Sequence, residues 1–442
     1  MMLKRKAMDA LIAWKNNPAR KSLIIDGARQ VGKTFLVRRF AREHYDILIE
    51  LNFLENASLK TVFSGSLDAE TIITSLNLIL PEYRILPGKT LLFLDEAQEC
   101  PNAITSLKFL TQDNRMDVIA SGSALGLAYR QVSSFPVGYV EYLDMASLDF
   151  EEFLWGMNVS PESISFVKKC FETKAPVPPA IHEKMMDYLR QYLVIGGMPE
   201  AVQLFTQTHD YYATDALLRN IYRSYISDIA HYATPELKVK AEKCYRSIPL
   251  QLSKENHKFQ YKTVERNGTA RKFETSIDWL VNAHIASPVP NVSNVELPLK
   301  AYAKEDNFRL YMTDIGLLVS TYGYDIKKAI LEDRTIETVS ENLVLRIAKG
   351  GLYEALAADL LLKRGYAPHF FRNDSSTVEI EFLIENKDGV IPIEIKVGRK
   401  RSTSLDQVLK QPNILYGYKL SSQNVGVSEK KITLPLYMLM FL

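Results

Sequence analysis

The run SLIIDGARQVGKTF, Ser22 to Phe35, allows few folds. An apolar strand, Leu23 to Ile25, breaks at Gly27 into a loop closing on Gly32, Lys33 and Thr34, and a helical pattern of Phe35, Leu36 and Phe40 follows. This is the form GxxxxGK[ST] between a strand and a helix, the context of a phosphate-binding P-loop. In such a loop the backbone of Gly27, Ala28, Arg29, Gln30, Val31 and Gly32 folds tightly enough to aim N–H groups at phosphate oxygens. Lys33 reaches the β- and γ-phosphates, and the Thr34 hydroxyl ligates Mg²⁺.

A P-loop sheet also needs a second, acidic strand, and TLLFLDEAQEC, Thr90 to Cys100, supplies it. Leu91 to Leu94 predict a strand buried on both faces that delivers Asp95 and Glu96 to its carboxyl end, where doubly wound sheets bind ligands. Asp95 is expected to hold Mg²⁺ through water, and Glu96 to orient and polarise the attacking water. The alternative is a buried strand ending in a solvated acidic turn. A third strand, Asp117 to Ala120, ends in the turn SGSAL, which puts Ser121 or Ser123 forward as a γ-phosphate sensor; the competing reading is an ordinary turn or helix cap.

At 442 residues the chain has room for two to four domains. Its 54 basic and 52 acidic residues nearly cancel, so any surface for nucleic acid must be local. Three widely spaced cysteines, Cys100, Cys170 and Cys244, argue for a reducing, cytoplasmic setting and against a disulfide frame. The N-terminus lacks the apolar core of a signal peptide. The terminal run LPLYMLMFL, Leu434 to Leu442, is too short to span a bilayer and reads as a buried last strand, so no membrane partner is expected.

Alternating strands and helices up to about residue 155 predict an α/β core of the P-loop type over 1–155. Residues 156–237 are helical in pattern with Pro/Gly breaks at APVPPA and GGMPEA, which suits a helical lid. Arg219 and Arg223 share a face of the helix Asp215 to Ile229, where one could serve as an arginine finger and either could equally be solvated or ion-paired. Over 238–325 the pattern changes. Lys254 to Glu274 holds six Lys/Arg against three Glu, interleaved with Phe259, Tyr261 and Phe273, then a helix (Phe273 to Ala283) and the strand-like runs IASPVPNV and FRLYMTD. A winged-helix module presenting cations to a DNA backbone accounts for this order, and a protein-binding interface is the alternative.

The C-terminal stretch, 326–442, carries a second constellation. A helix, Gly351 to Tyr366, bears Glu354; strands Val378 to Ile384 and Val390 to Gly398 alternate acidic and apolar residues, so Glu379 and Glu381 share a face, as do Glu394 and Lys396. Glu381 and Glu394 are placed to hold Mg²⁺ or Mn²⁺, Lys396 to lower the pKa of an attacking water or steady developing charge, and Glu354 to orient the site. The expectation is that these groups converge at an open edge of a mixed sheet; the alternative is an unrelated α/β domain in which the alternating strands are ordinary half-buried sheet faces.

GARQVGKTF, LLFLDEAQ, IASGSA, LDFEEF, YLVIGGMPEAV, FRLYMTDIGLL, EIEFLI and IPIEIKVG together resemble the prokaryotic AAA-type ATP-binding proteins with a C-terminal domain of unknown function. The resemblance spans nearly the whole chain. It implies an AAA core, a lid, a winged helix and a restriction-endonuclease-like tail of the PD-(D/E)xK kind, with ATP and Mg²⁺ as ligands; DNA, a protein or further copies of the chain are the partners left open by the residues. Two departures stand out: the usual metal-binding Asp of the EIDF strand is here Glu381, and the turn after the third strand lacks an arginine sensor. The expected function, read from the residues, is a Mg²⁺-dependent ATPase whose nucleotide state moves a lid and a DNA-facing C-terminal region, with nuclease activity of that region left open; the alternatives are a tail that only binds and an oligomeric scaffold.

Overall fold

Leu/Ile-rich runs bounded by glycine and polar turns form five strands in the first part of the chain: β1 (Ser22–Asp26), β2 (Ile47–Asn52), β3 (Thr90–Asp95), β4 (Asp117–Gly122) and β5 (Val140–Asp144). The structure, a computed structural model, describes residues 3–123, 134–232, 235–254, 256–332, 343–396 and 403–442. The chain divides into two compact units, residues 4–147 with 282–284, and Leu3 with residues 148–281 and 285–442.

In the first unit all five strands pair in parallel, in the order β2-β3-β4-β1-β5. β1, β3 and β4 are buried along their whole length, as a sheet covered on both faces requires. One face packs on the helices Ala69–Ile79 and Pro101–Asp113 through Ile72, Leu76, Ile104 and Leu107. The sheet order matters for function because β4 lies between β1 and β3. The end of β4 therefore opens between the P-loop and the acidic strand. β4 also runs two residues past its expected end, so Ser121 is a strand residue and not part of the turn.

The second unit begins with helices from Phe150–Gly156 to Pro235–Leu252. Its sheet comprises β6 (Ala286–Val292), β7 (Ala303–Met312), β8 (His369–Arg372), β9 (Glu379–Asn386), β10 (Gly389–Ile395), β11 (Gly417–Ser421), β12 (Gly426–Ser428) and β13 (Lys431–Pro435). These form one mixed sheet ordered β12-β13-β11-β10-β9-β8-β6-β7. Three expectations are corrected here. The hairpin β6/β7 is not a free wing: β6 pairs in parallel with β8 (Asn291 opposite Phe370), so the strands on either side of the boundary expected at 325/326 share one sheet, and 156–237, 238–325 (apart from 282–284) and 326–442 fall in one compact unit. β9 and β10 lie inside the sheet and not at an open edge. The terminal run is not a strand. β13 stops at Pro435, which has no N–H to extend a ladder, and Leu436–Phe441 form a buried 3₁₀ helix.

A buried polar knot fastens this unit. Lys363 lies 2.8 Å from Asp359 and 3.1 Å from Asp314, and Tyr192 donates to Asp359 at 2.8 Å. Asp314 accepts from the backbone of Gly197 and Gly316 at 2.9 Å. The GGMPEA and TDIG motifs are thereby one structural joint, where a Cβ at Gly316 would overlap the carbonyl of Ile195. No helix among the described residues is long and apolar enough to cross a membrane.

Candidate functional site

The candidate nucleotide site grows out of β1. Gly27, at φ 148°, lies so close to Met145 that a Cβ would overlap its carbonyl oxygen, and Gly32 precedes the helix Lys33–His44 at φ 94°. Both values belong to the region that favours glycine, so the loop's tight path is written in these two residues. Lys33 is buried, with its ammonium donating to the carbonyls of Gly27 and Ala28 at 2.7 Å each. Burial brings its pKa down to about 8, against the pull of Glu96, Asp26 and Asp95. A charge held this weakly is one that phosphate oxygens would stabilise.

Asp95 is the hub of the opposite wall. Thr34 Oγ1 donates to Asp95 Oδ2 at 2.9 Å, Asn52 Nδ2 to the same oxygen at 3.2 Å, and Ser121 Oγ to Oδ1 at 2.5 Å. A hydroxyl beside a buried carboxylate is a hard-oxygen pairing of the kind Mg²⁺ takes, so Thr34 and Asp95 fit the expected cation. Ser121, one of the two serines put forward as a γ-phosphate sensor, braces Asp95. Glu96 follows at φ 53°, a left-handed conformation uncommon for a side chain of this size, and accepts from the Gln98 amide at 2.5 Å. Ser123 accepts from Arg29 Nε at 3.1 Å. Sequence reading missed Asn52 and Gln98. The DEAQ spacing held a signal for Gln98, whereas Asn52 reaches Asp95 only through the register of β2 on β3.

Arg219, a finger candidate, is ion-paired with Asp215 at 2.8 Å, and Asp215 also binds Lys327; Arg223 is exposed. In the basic segment Lys272 pairs with Glu265, and Lys254 donates to Thr263 at 2.8 Å. Lys262, Arg266 and Arg271 are exposed.

The C-terminal constellation does converge. Lys396 Nζ lies 3.0 Å from Glu394 Oε1 and 3.7 Å from Glu381 Oε1, and the backbone N–H of Ile395 donates to Glu381 Oε2 at 3.2 Å. Glu394 is fully buried, and among the described residues its carboxylate faces the Lys396 ammonium as its near cation and lacks further hydrogen-bond donors. Burial lifts Glu381 to about 7, opposed by Lys396 and reinforced by Glu354 and Glu394. These two carboxylates, the buried one short of hydrogen-bond donors, fit a hydrated divalent cation bound through few protein groups. Among the described residues, however, no three His, Cys, Asp or Glu side chains group to hold a metal.

Glu354 serves elsewhere. Its carboxylate binds Arg309 Nη1 and His257 Nδ1 at 2.7 Å each, and the Tyr311 hydroxyl. Arg309 extends to Glu379 and lies 4.3 Å over the Phe370 ring. Burial alone would raise the Glu354 pKa, but Arg309 and His257 hold it at about 2. Arg309, Tyr311 and His257 were not foreseen. The alternation of Arg309 and Tyr311 on β7 was visible in FRLYM, but their partner lies 45 and 43 residues away.

Comparison with known families gives three matches, none covering half of the chain. Residues 19–154 match the AAA domain, residues 186–327 a domain of unknown function (DUF8612), and residues 349–437 a second domain of unknown function (DUF4143). The middle match crosses the boundary expected at 237/238. No curated protein matches the chain. Among solved structures, a Walker-type ATPase of Pyrococcus abyssi is similar at 14% identity over 72% of this chain and 95% of that one, with a TM-score of 0.44. The Orc1 protein of Aeropyrum pernix, solved in complex with DNA, is similar at 13% identity over 73% and 92%, with a TM-score of 0.31. The Hsp104–ADP complex of S. cerevisiae is similar at 10% over 83% and 44%, with a TM-score of 0.29.

Proposed function

We propose that the chain, which carries an AAA-type ATPase domain at residues 19–154, is a Mg²⁺-dependent ATP-hydrolysing switch of the cytoplasm whose second unit faces DNA. Lys33 exchanges its two loop carbonyls for phosphate oxygens when ATP enters. Thr34 and Asp95 would hold the cation, which would supply charge neutralisation to the bound phosphates. Glu96, kept in a left-handed backbone by the turn after β3 and oriented by Gln98, aligns a water and accepts its proton. The observation that carries this reading is the closed set of bonds on Asp95, which fixes Thr34, Ser121 and Asn52 around one carboxylate. The test is ATP binding and turnover by the full chain. Lys33→Ala should abolish binding, and Glu96→Gln should retain ATP and stop turnover; equal hydrolysis by wild type and Glu96→Gln would remove Glu96 from its role.

For the second unit, the meeting of Glu381, Glu394 and Lys396 supports a second reading, phosphodiester cleavage with Mg²⁺ or Mn²⁺. Glu381 and Glu394 would bind the metal, which supplies an activated water, while Lys396 steadies negative charge. The expected outcome is Mn²⁺-dependent nicking of DNA that Lys396→Ala abolishes. Wild-type protein that cuts no DNA with any divalent metal would leave a tail that binds DNA, a protein or another copy without cutting.

A further inference from the structure

We infer that His284 is a positioning residue of the nucleotide site, which holds the start of the P-loop through Asp26 and couples ATP binding to the bridge between helix Ala270–Asn282 and β6. The inference rests on the ATPase reading above and adds to that site a residue distant from it in sequence.

The backbone at this position asks for a glycine. The Ile285 N–H donates to the Leu280 carbonyl at 3.1 Å, which closes helix Ala270–Asn282, and His284 takes φ 56° immediately before it. A helix end of this form places a left-handed residue just after the cap, where glycine is the usual occupant. This chain carries a histidine there, in a conformation that costs a side chain more than it costs glycine.

The side chain meets the P-loop strand. His284 Nε2 lies 3.0 Å from Asp26 Oδ2, and residues 282–284 belong to the compact unit of the P-loop, although the chain before and after them belongs to the other. Asp26 is the buried last residue of β1, and its Oδ1 accepts the Gly27 N–H at 2.8 Å. The Gly27 carbonyl in turn accepts from Lys33 at 2.7 Å. One run of contacts thus leads from the lysine, through both sides of Gly27 and the Asp26 carboxylate, to His284.

ATP changes the load on this run. Asp26 stands within electrostatic reach of Lys33, so when Lys33 turns to the phosphates the carboxylate shares its lysine with new negative charge. The contacts of Asp26 with Gly27 and His284 then carry more of what keeps it in place. A contact that matters more in the bound state than before binding favours binding, and by the same coupling ATP tightens the bridge that carries His284.

The experiment uses the full chain and a fluorescent ATP analogue with Mg²⁺. In wild type, hydrogen exchange should slow in peptides spanning 282–285 when the analogue binds. His284→Gly should bind the analogue about tenfold more weakly, a loss of the size that such couplings have. With saturating analogue it should lose the slowing at 282–285 and keep it at 27–34. Its Tm should stay within about 3 °C of wild type, because glycine suits φ 56° and a half-exposed polar contact is worth little to folding. A residue with a structural role only would lower Tm and leave the affinity unchanged. Asp26→Asn completes a double-variant cycle: Asp26→Asn/His284→Gly should bind no more than about threefold worse than Asp26→Asn, since both changes break one contact. Wild-type affinity in His284→Gly, exchange at 282–285 that ignores the analogue in wild type, or losses that multiply in the double variant overturn the inference and leave the ATPase reading standing. Wild-type protein that binds no analogue overturns both.

Discussion

Replacing Arg309 with methionine should weaken the second unit severely, and the structure gives the size of the effect. Arg309 is 1% exposed and makes two charge-assisted contacts, with Glu354 and Glu379, beneath the Phe370 ring. Methionine fills much of the volume but leaves Glu354, itself 5% exposed, as a buried charge. Breaking one partner out of a buried pair costs about 3–5 kcal/mol. His257, 2.7 Å away, remains as a partial counter-charge, which places the expected loss near about 3 kcal/mol. For a domain of this size that is a fall of roughly 6–12 °C in Tm. The loss should also depend on pH. Without Arg309 the Glu354 pKa rises from about 2, so the unpaired charge is penalised above the new pKa and relieved as pH falls through it. Differential scanning calorimetry at pH 5 and pH 8, on Arg309→Met and on Arg309→Met/Glu354→Gln, reads both effects. The double variant should recover at least half of the loss, because a neutral amide no longer needs the cation. A single variant within about 1 kcal/mol of wild type, or a double variant no more stable than the single, would refute the view that Arg309 is there to neutralise Glu354.

Glu381→Gln should stabilise the protein more at pH 8 than at pH 5. A carboxyl raised to about 7 costs stability progressively as pH climbs from its ordinary value through 7, by up to about 3 kcal/mol, and urea unfolding curves that stay parallel across this range would contradict it. Gly27→Ala should destroy nucleotide binding, since a Cβ there overlaps the Met145 carbonyl and φ is 148°; isothermal titration with ATP tests this, and wild-type affinity would mean the loop tolerates another path. Replacing Lys258, Lys262, Arg271 and Lys272 with alanine should flatten the salt dependence of DNA binding by about one log–log slope unit per lost phosphate contact. Lys272, already tied to Glu265, should contribute least, and an unchanged slope would move the DNA surface elsewhere.

The local parts of this protein were legible in its sequence because they are local. A glycine-bounded loop after an apolar strand, an acidic pair at the end of four apolar residues, and acid/apolar alternation in EIEFLI and IPIEIKVG are set by backbone conformation and side-chain period over a few residues. That is why the P-loop, the Asp95 strand and the meeting of Glu381, Glu394 and Lys396 could be anticipated. What escaped depends on strands that find each other across long stretches of chain. The register of β2 on β3 brings Asn52 to Asp95, and the parallel pairing of β6 with β8 joins the hairpin to the C-terminal strands. The same sheet carries Arg309 on β7 to Glu354, and His257 reaches that carboxylate from 97 residues earlier in the chain. A buried carboxylate needs a counter-charge, and the sequence makes that need evident. Which cation answers it is decided by strand order, because at the packing distance of a sheet interior the nearest charge in space is rarely the nearest along the chain.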